Sequence, residues 1–430
     1  MKKSYSWGRY PVIEQSCQEV FWRDQELIDA PSMLPYGQGR SYGDVCVNEG
    51  GVVLQTSKLH HYINLDESKG ILRAESGTTL EQILKLIVPK GWFLPVTPGT
   101  KYVSLGGAVA NDVHGKNHHR AGSFGCHVLA FELLRSNGER LICTNDQNQE
   151  LFHATIGGLG LTGLITWVEI KLKPIASSYI HQQVSRFKNL EDFIRLNESE
   201  EANWEYTVAW IDCLAKGRNL GKGLYLAGKH DDDTRLESGV EKNSSITMPI
   251  DAPSWLLNRA SVQLFNSLYY RKPRKKLSRV YYDGYFYPLD KIAHWNRMYG
   301  KRGFFQYQCV VPVDEVESAL SKILEKIARS GQGSFLSVLK KFGNNPAPGL
   351  LSFPRSGFTL ALDFANRGEK TLQLFSELDE ITMHYGGAVY PAKDARMSAM
   401  AFKQFFPAWE NFSQYIDPHF SSSFWRRVNQ

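Results

Sequence analysis

Short runs of alternating apolar and polar residues dominate the first 175 positions, each bounded by glycine, proline or asparagine. Residues 51–55, 62–65 and 71–75 carry this period and predict strands. The period then changes. Leu80, Ile83, Leu84 and Ile87 recur at helical spacing behind a capping Thr78 or Thr79, and Pro89 and Gly91 end that helix. Residues 128–134 and 140–143 flank Asn137-Gly138, a strong hairpin signal. A short helix over 150–155 leads through a glycine-rich turn to a strand over 164–173, which Pro174 closes. From 176 to about 390 the alternations lengthen and tryptophan and charge increase. Aromatic-rich strands over 205–212 and 304–312 predict an antiparallel sheet, with a helix over 315–330. The pattern is that of an α+β protein without internal repeats.

Composition narrows the class. The chain has 430 residues, 42% apolar and 22% charged, with 36 Gly and 18 Pro. These proportions exclude disordered, collagen-like and coiled-coil chains, and the length suggests two or three domains. Fifty lysines and arginines against 44 acidic residues leave a net charge of +6, too mild to argue for nucleic acid. Apolar stretches such as residues 83–88 fall far short of the ~20 residues a membrane-spanning helix needs. The basic start lacks the apolar core of a secretory signal. Six cysteines are scattered with no CxxC spacing, which fits a reduced, cytoplasmic compartment and speaks against structural zinc.

Two glycine-rich loops carry candidate chemistry. PYGQGRSYGD (residues 35–44) places Gly37, Gly39 and Gly43 where consecutive backbone N–H groups can converge on an anion, with Arg40 as a fixed cation. A tight structural turn explains that loop equally well. In PGTKYVSLGGAVANDVHGKN (residues 98–117), Gly106-Gly107-Ala108 lets a helix terminus approach phosphate oxygens without an intervening Cβ. Two such loops about 65 residues apart point to a large diphosphate cofactor. Residues 158–163, GLGLTG, match the dinucleotide fingerprint letter for letter. That fingerprint requires a strand before it and a helix after; here the order is reversed, so a loop buttressing the cofactor is expected instead of an NAD site. His114, His118 and His119 in HGKNHH lack acidic or cysteine partners, and Lys116 among them would repel a metal. They are expected to line a ligand, with no metal.

These residues also carry a resemblance. SWGR (6–9), GRSYGD (39–44), LPVTPGT (94–100), GGAVANDVHGKNHHRAGSFG (106–125), GLTG (160–163), AWID (209–212), HWNRMYG, GFFQYQCVVP, GSFLSVLKKFG and YPAKDAR (390–396) resemble the FAD-dependent oxidoreductases of the vanillyl-alcohol oxidase type, nearly end to end. Within that family the chain looks like the members that oxidise the 2′-hydroxyl of a polyprenyl-phosphate-linked pentose. The resemblance implies a two-domain fold: an FAD-binding domain over 1–175, a substrate-binding domain on an antiparallel sheet over 176–389, and a segment over 390–430 returning to the FAD domain. It implies that Pro35, Tyr36, Gly37, Gln38, Gly39, Arg40, Ser41, Tyr42, Gly43, Asp44 and Val45 wrap the FAD diphosphate. Gly99, Ser104, Leu105, Gly106, Gly107, Asn111, Asp112, Val113 and His114 line its other side, Ile165 contacts the adenine-side chain, and Tyr390 sits by the flavin. Some relatives attach flavin through a histidine in the first loop. Arg40 stands at that place and cannot form the bond, so dissociable FAD is expected. Ala361 stands where some members carry a reactive cysteine.

Oxidising a secondary alcohol requires a destination for the hydroxyl proton and a cation near the developing negative charge. Lys393 is the first candidate for that cation and for binding the substrate hydroxyl; His114, Lys116 and Tyr42 are further catalytic candidates. Trp210, Gln308 and Lys340 are expected to face the sugar. Arg271, Lys272, Arg274, Lys275, Lys276 and Arg279 put six cations into nine residues. They follow a predicted helix, stopped by Pro273, with Leu257, Ala260, Leu264 and Leu268 on one face. A solvated loop after a core-packed helix accounts for the run. An anionic membrane surface at the inner face of the cytoplasmic membrane suits a lipid-linked sugar phosphate better. A separate NAD(P)H-dependent short-chain reductase would complete an epimerisation. The rivals are a soluble sugar-lactone or alditol oxidase using O₂, and a flavin-free binding protein.

Overall fold

Three sheets organise the structure, a computed structural model that describes residues 2–233, 246–253, 256–272 and 275–430. The first is small and mixed, in the order Lys2–Ser4, Ile13–Glu19, Val52–Gln55, Met33–Tyr36. Met33–Tyr36 and Ile13–Glu19 both run parallel to Val52–Gln55, so the chain leaves the end of Met33–Tyr36 directly into the first glycine loop. The second sheet is antiparallel, ordered Tyr62–Asp66, Ile71–Glu75, Leu164–Lys171, Val128–Leu134, Arg140–Thr144. Against it packs the helix Leu80–Ile87, which buries Leu80, Ile83, Leu84 and Ile87 as its spacing predicts. Thr79 is the cap: its hydroxyl accepts from Gln82 N at 3.2 Å and the Gln82 side chain accepts from Thr79 N at 2.8 Å. This reciprocal pair contributes about 1 kcal/mol.

The third sheet has eight antiparallel strands, ordered Leu277–Tyr281, Tyr179–Phe187, Gly223–His230, Tyr206–Ile211, Ser337–Phe342, Gly357–Ala365, Phe304–Val311, Ala388–Val389. Its period of two divides labour between faces. Phe305, Tyr307, Cys309, Leu339, Leu360, Leu362 and Phe364 point into a core shared with the helices Leu190–Glu200, Val316–Ser330 and Glu369–His384. The intervening positions line the opposite face, which faces the glycine loops.

Residues 390–430 lead back from this sheet to the first loop. Ala392 O accepts from Tyr42 N at 3.0 Å, and Phe420 bridges to Met33. Arg427 donates to both carboxylate oxygens of Asp44, at 2.8 and 2.7 Å, and to Asp394 at 2.9 Å. A half-buried bidentate arginine on two buried carboxylates positions more than it stabilises, since desolvation of the carboxylates offsets much of the attraction. Among the described residues no helix is long and apolar enough to cross a membrane, and all six cysteines are free thiols.

One helix departs from expectation. Arg259–Arg271 buries Val262 and Asn266 and leaves Leu264 and Leu268 outward, so the leucine face is not core-packed. The Asn266 amide donates to Asp212 at 2.9 Å and to Ser334 O at 3.3 Å, and these polar bonds fix which side faces in. Pro273 and Arg274 lie outside the described residues.

Candidate active site

A cavity of about 580 Å³ lies between the outer face of the eight-stranded sheet and the two glycine loops. The first loop contributes Pro35, Gly37, Gln38, Gly39, Arg40, Ser41, Tyr42 and Val45 to its wall. Gly39 takes φ +59°, the left-handed region, which turns the loop back on itself. The second loop contributes Gly99, Ser104, Gly106, Gly107, Asn111, Val113, His114 and Lys116. Ser104 caps the helix Leu105–Ala110 by accepting from Gly107 N at 3.3 Å. The same hydroxyl lies where a Cβ on Gly37 would be, at 2.1 Å, so the two loops meet only because residue 37 is glycine. Ile165 and Tyr390 complete this wall, and Tyr390 donates to Asn111 O at 2.7 Å.

Tyr36, Gly43, Asp44, Leu105 and Asp112 do not reach the cavity surface; they stand behind it. Leu105 is wholly buried in the core. Asp44 takes Arg427, as described above. Asp112 accepts from Gly125 N at 2.8 Å and from Ser352 at 2.6 Å. Gly43 abuts the Asp394 carbonyl, 1.5 Å from the place of a Cβ. The Tyr36 hydroxyl covers Gly39 in the same way. The family resemblance implies that these residues touch the cofactor; in the structure they support the two loops from behind the cavity surface.

The sheet wall is made of side chains. Trp210, Gln306, Gln308, Lys340, Thr359 and Ala361 all line it. Trp210 is buried and anchored by donating to Phe335 O at 3.0 Å. Lys340 Nζ lies 2.7 Å from His114 Nδ1 and 2.9 Å from Gly115 O. The Gln308 amide lies 2.9 Å from His114 Nε2 and 3.2 Å from the Thr359 hydroxyl. An ammonium only donates, so beside charged Lys340 His114 accepts at Nδ1 and carries its proton on Nε2. The Gln308 amide, placed with Nε2 toward the ring, is therefore assigned the flipped orientation that turns its carbonyl oxygen there. Burial, with the neighbouring charges of Lys340 and Lys393, holds His114 well below its ordinary pKa, as a neutral imidazole. Burial also pushes Lys340 down to about 7, helped by the charges of Lys116 and Lys393. Lys116 is likewise pushed down to about 7 by burial alone; it donates to the Tyr285 carbonyl and sits 4.3 Å from that ring's centre.

Lys393 approaches from the C-terminal segment, its ammonium 3.9 Å from the centre of the Tyr42 ring. Tyr42 is itself buried, edge-on to Phe304 at 5.2 Å, and burial raises its hydroxyl far above the usual range. Across from them is a residue the sequence analysis missed. Asp363 is fully buried, accepts from the Gln306 amide at 2.5 Å, and leaves Oδ2 without a partner. Burial raises Asp363 and lowers Lys393, and their mutual attraction opposes both shifts. A signal was present: Gln306 and Asp363 are polar residues at alternate positions of otherwise apolar strands, in phase with Gln308 and Ala361.

The histidines of HGKNHH diverge. His118 accepts from Gly343 N at 3.2 Å and is pushed down to about 3, chiefly by burial, while His119 meets Trp204 O at 3.2 Å. GLGLTG runs from the helix Gln149–Thr155 into the strand Leu164–Lys171, and Leu159, Gly160 and Gly163 touch the cavity. Arg40 stacks on Trp7, its guanidinium carbon 4.2 Å from the ring centre.

Comparison with known proteins decides the class. Residues 30–144 match the FAD binding domain family model. Decaprenylphosphoryl-β-D-ribose oxidase of Mycolicibacterium smegmatis is 37% identical over 99% of this chain and 97% of its own length. The chain belongs to the family of that oxidase. It is an FAD-dependent oxidoreductase with a fold of the vanillyl-alcohol oxidase type. An uncharacterized Streptomyces coelicolor protein, in the mprA 5′ region, is 32% identical over 81% of this chain and 99% of its own length. Human Δ(24)-sterol reductase is 30% identical, over only 30% of this chain and 25% of itself.

The cavity fits FAD on its own evidence. Ser76 Oγ and Asn111 Oδ1 are buried in its wall without a protein partner, and a Cβ on Gly99 would meet nothing within 4 Å. Orphaned polar atoms beside bare backbone are what a diphosphate- and ring-bearing ligand satisfies.

Proposed function

We propose that this protein oxidises the 2′-hydroxyl of a pentose carried on a polyprenyl phosphate to a keto sugar. A separate NAD(P)H-dependent short-chain reductase then completes an epimerisation. The observation that carries the reading is that Lys393, Gln308, Lys340 and neutral His114 line one cavity, with Asp363 buried behind its sheet wall, in a chain similar end to end to an oxidase of a lipid-linked ribose. In this reading residues 1–175 with 390–430 hold FAD and 176–389 hold the sugar.

FAD, when bound, supplies the two-electron acceptor for the hydride of the CH–OH carbon. The chain supplies the rest. Lys393 hydrogen-bonds the substrate hydroxyl and stabilises negative charge as it develops. Asp363, unpaired at Oδ2, keeps Lys393 charged despite its burial and is the final proton acceptor. Lys393 takes the hydroxyl proton as it passes one of its own to the carboxylate, so the ammonium is retained and Asp363 ends as the neutral acid. Lys340 and Lys116, poised near neutrality, become fully charged when an anionic sugar phosphate enters, because the phosphate restores the ammonium form. His114, neutral with Nε2–H toward Gln308, orients the sugar without competing for the proton. Trp210 covers the pentose, and Ala361 leaves space and no thiol beside it. Exposed Arg271, Lys275 and Lys276 face an anionic membrane at the inner surface of the cell, where each adds about 1 kcal/mol of attraction.

The test is anaerobic. Stopped-flow bleaching of the flavin by a polyprenylphosphoryl pentose, with the keto sugar trapped by borodeuteride, is the expected result. Bleaching by free lactones or alditols and not by the lipid-linked sugar would replace this reading with the soluble oxidase.

A further inference from the structure

The helix Arg259–Arg271 is inverted relative to an ordinary surface helix. Its inner side is held by polar Asn266, while Leu264 is 62% and Leu268 63% exposed, one turn apart on the outer side. Phe265 is 44% exposed beside them, and Leu277 51% on the edge strand Leu277–Tyr281 that follows. Large apolar side chains clustered outward mark a surface that is covered in use.

What covers them follows from the neighbours. Exposed Arg271, Lys275 and Lys276 flank the leucines at the helix C-terminal end. Arg279 does not belong to this set, since its guanidinium pairs with Asp231 at 2.9 Å and Asp233 at 3.1 Å. An apolar stripe bordered by cations is complementary to a lipid surface of negative charge, with acyl chains beneath the headgroups. The patch is also continuous with the cavity. Phe265 stacks on Tyr269 at 5.7 Å, Tyr269 packs on Trp210 at 4.7 Å, and both Tyr269 and Trp210 line the cavity wall.

We propose that Leu264 and Leu268 insert into an anionic bilayer while Arg271, Lys275 and Lys276 lie among its headgroups, which sets the Tyr269 edge of the cavity at the membrane surface. The inference rests on the lipid-linked substrate proposed above. It explains why the leucines face outward: a substrate whose tail stays in the bilayer is met by a cavity whose rim enters the bilayer.

The experiment uses the FAD-loaded protein with phosphatidylglycerol and phosphatidylcholine vesicles at low and high salt. Wild type is expected to co-sediment with phosphatidylglycerol at least tenfold better than with phosphatidylcholine. Leu264→Gln/Leu268→Gln, with its flavin spectrum intact, is expected to lose at least tenfold of that binding at either salt concentration. Arg271→Gln/Lys275→Gln/Lys276→Gln is expected to lose the salt-sensitive part. A leucine variant that binds as wild type does overturns the inference. So does a wild type that sediments without lipid as a dimer that the leucine variant dissolves, since a second copy then covers the face. A lipid-free arm separates this from the functional reading: on a short-chain, water-soluble polyprenylphosphoryl pentose the leucine variant should bleach its flavin at the wild-type rate. If wild type itself fails there, the substrate reading fails, whatever the vesicles show.

Discussion

The two walls of the cavity are built from different parts of the chain by different means. The loop wall is backbone brought close by glycines and held from behind by Arg427, Asp44 and Asp394. The sheet wall is side chains at every second position of strands whose other positions make the core. One wall presents N–H groups and few charges; the other, with Lys393 and Lys116 at its border, gathers the titratable groups. The difference teaches where specificity resides. A backbone cradle suits a cofactor that every relative must hold, while alternating strand positions let the reacting sugar be read by side chains that change without disturbing the core.

The largest effect is expected at the loop wall. With Arg40 where an attaching histidine would be needed, acid precipitation should move all of the yellow cofactor to the supernatant; flavin in the pellet would show a covalent link. On the sheet side, Lys393→Ala should keep FAD and slow flavin reduction by substrate by about 10²- to 10³-fold, the usual loss when a preorganised charge is removed. Bleaching at the wild-type rate would remove Lys393 from the chemistry. Gly43→Ala tests the seam between the walls. Its Cβ would collide with the Asp394 carbonyl, so FAD titration should show affinity falling about tenfold while the protein stays folded.

Asp363→Asn should act through Lys393. Without the carboxylate the ammonium is easier to discharge, so the limb of the reduction rate that falls with rising pH should move to lower pH. An unmoved limb with a slower plateau would leave Asp363 a packing residue. The smallest effect is on stability. Lys340 is pushed from 10.5 down to about 7 by burial and nearby charge. Between those values the unfolded chain binds the extra proton, so the apoprotein gains stability as pH rises, by at most about 1.4 kcal/mol per pH unit for one such group. Lys340→Met should flatten the rise in melting temperature between pH 7 and 9, with Lys116 retaining part of it.

Much of the loop wall was legible in the linear order. Glycine and proline act locally, so the positions of both loops, the Thr79 helix, the Asn137-Gly138 hairpin and the reversed order around residues 158–163 follow from neighbours a few residues apart. The sheet wall was legible only in part. Gln308, Lys340 and Trp210 were expected there, but Asp363 looked like one acid in an apolar strand. The orientation of Arg259–Arg271 was misread because leucines outnumber other residues on one face. The deciding bonds, from Asn266 to Asp212 and Ser334, span 54 and 68 positions.

By itself the amino-acid order determined the α+β class, the two glycine loops and the family resemblance, because these rest on φ/ψ preference, hydrophobic period and motif spacing. The placement of Lys393 over Tyr42 with Asp363 near enough to act on its charge, the clamp of Arg427 on Asp44 across 383 positions, and the outward leucines were decided only by the tertiary structure. Those pairings depend on which strand lies beside which and on the register that turns a side chain inward or outward. Both are set by how the core packs as a whole, and no short window of the chain contains that information.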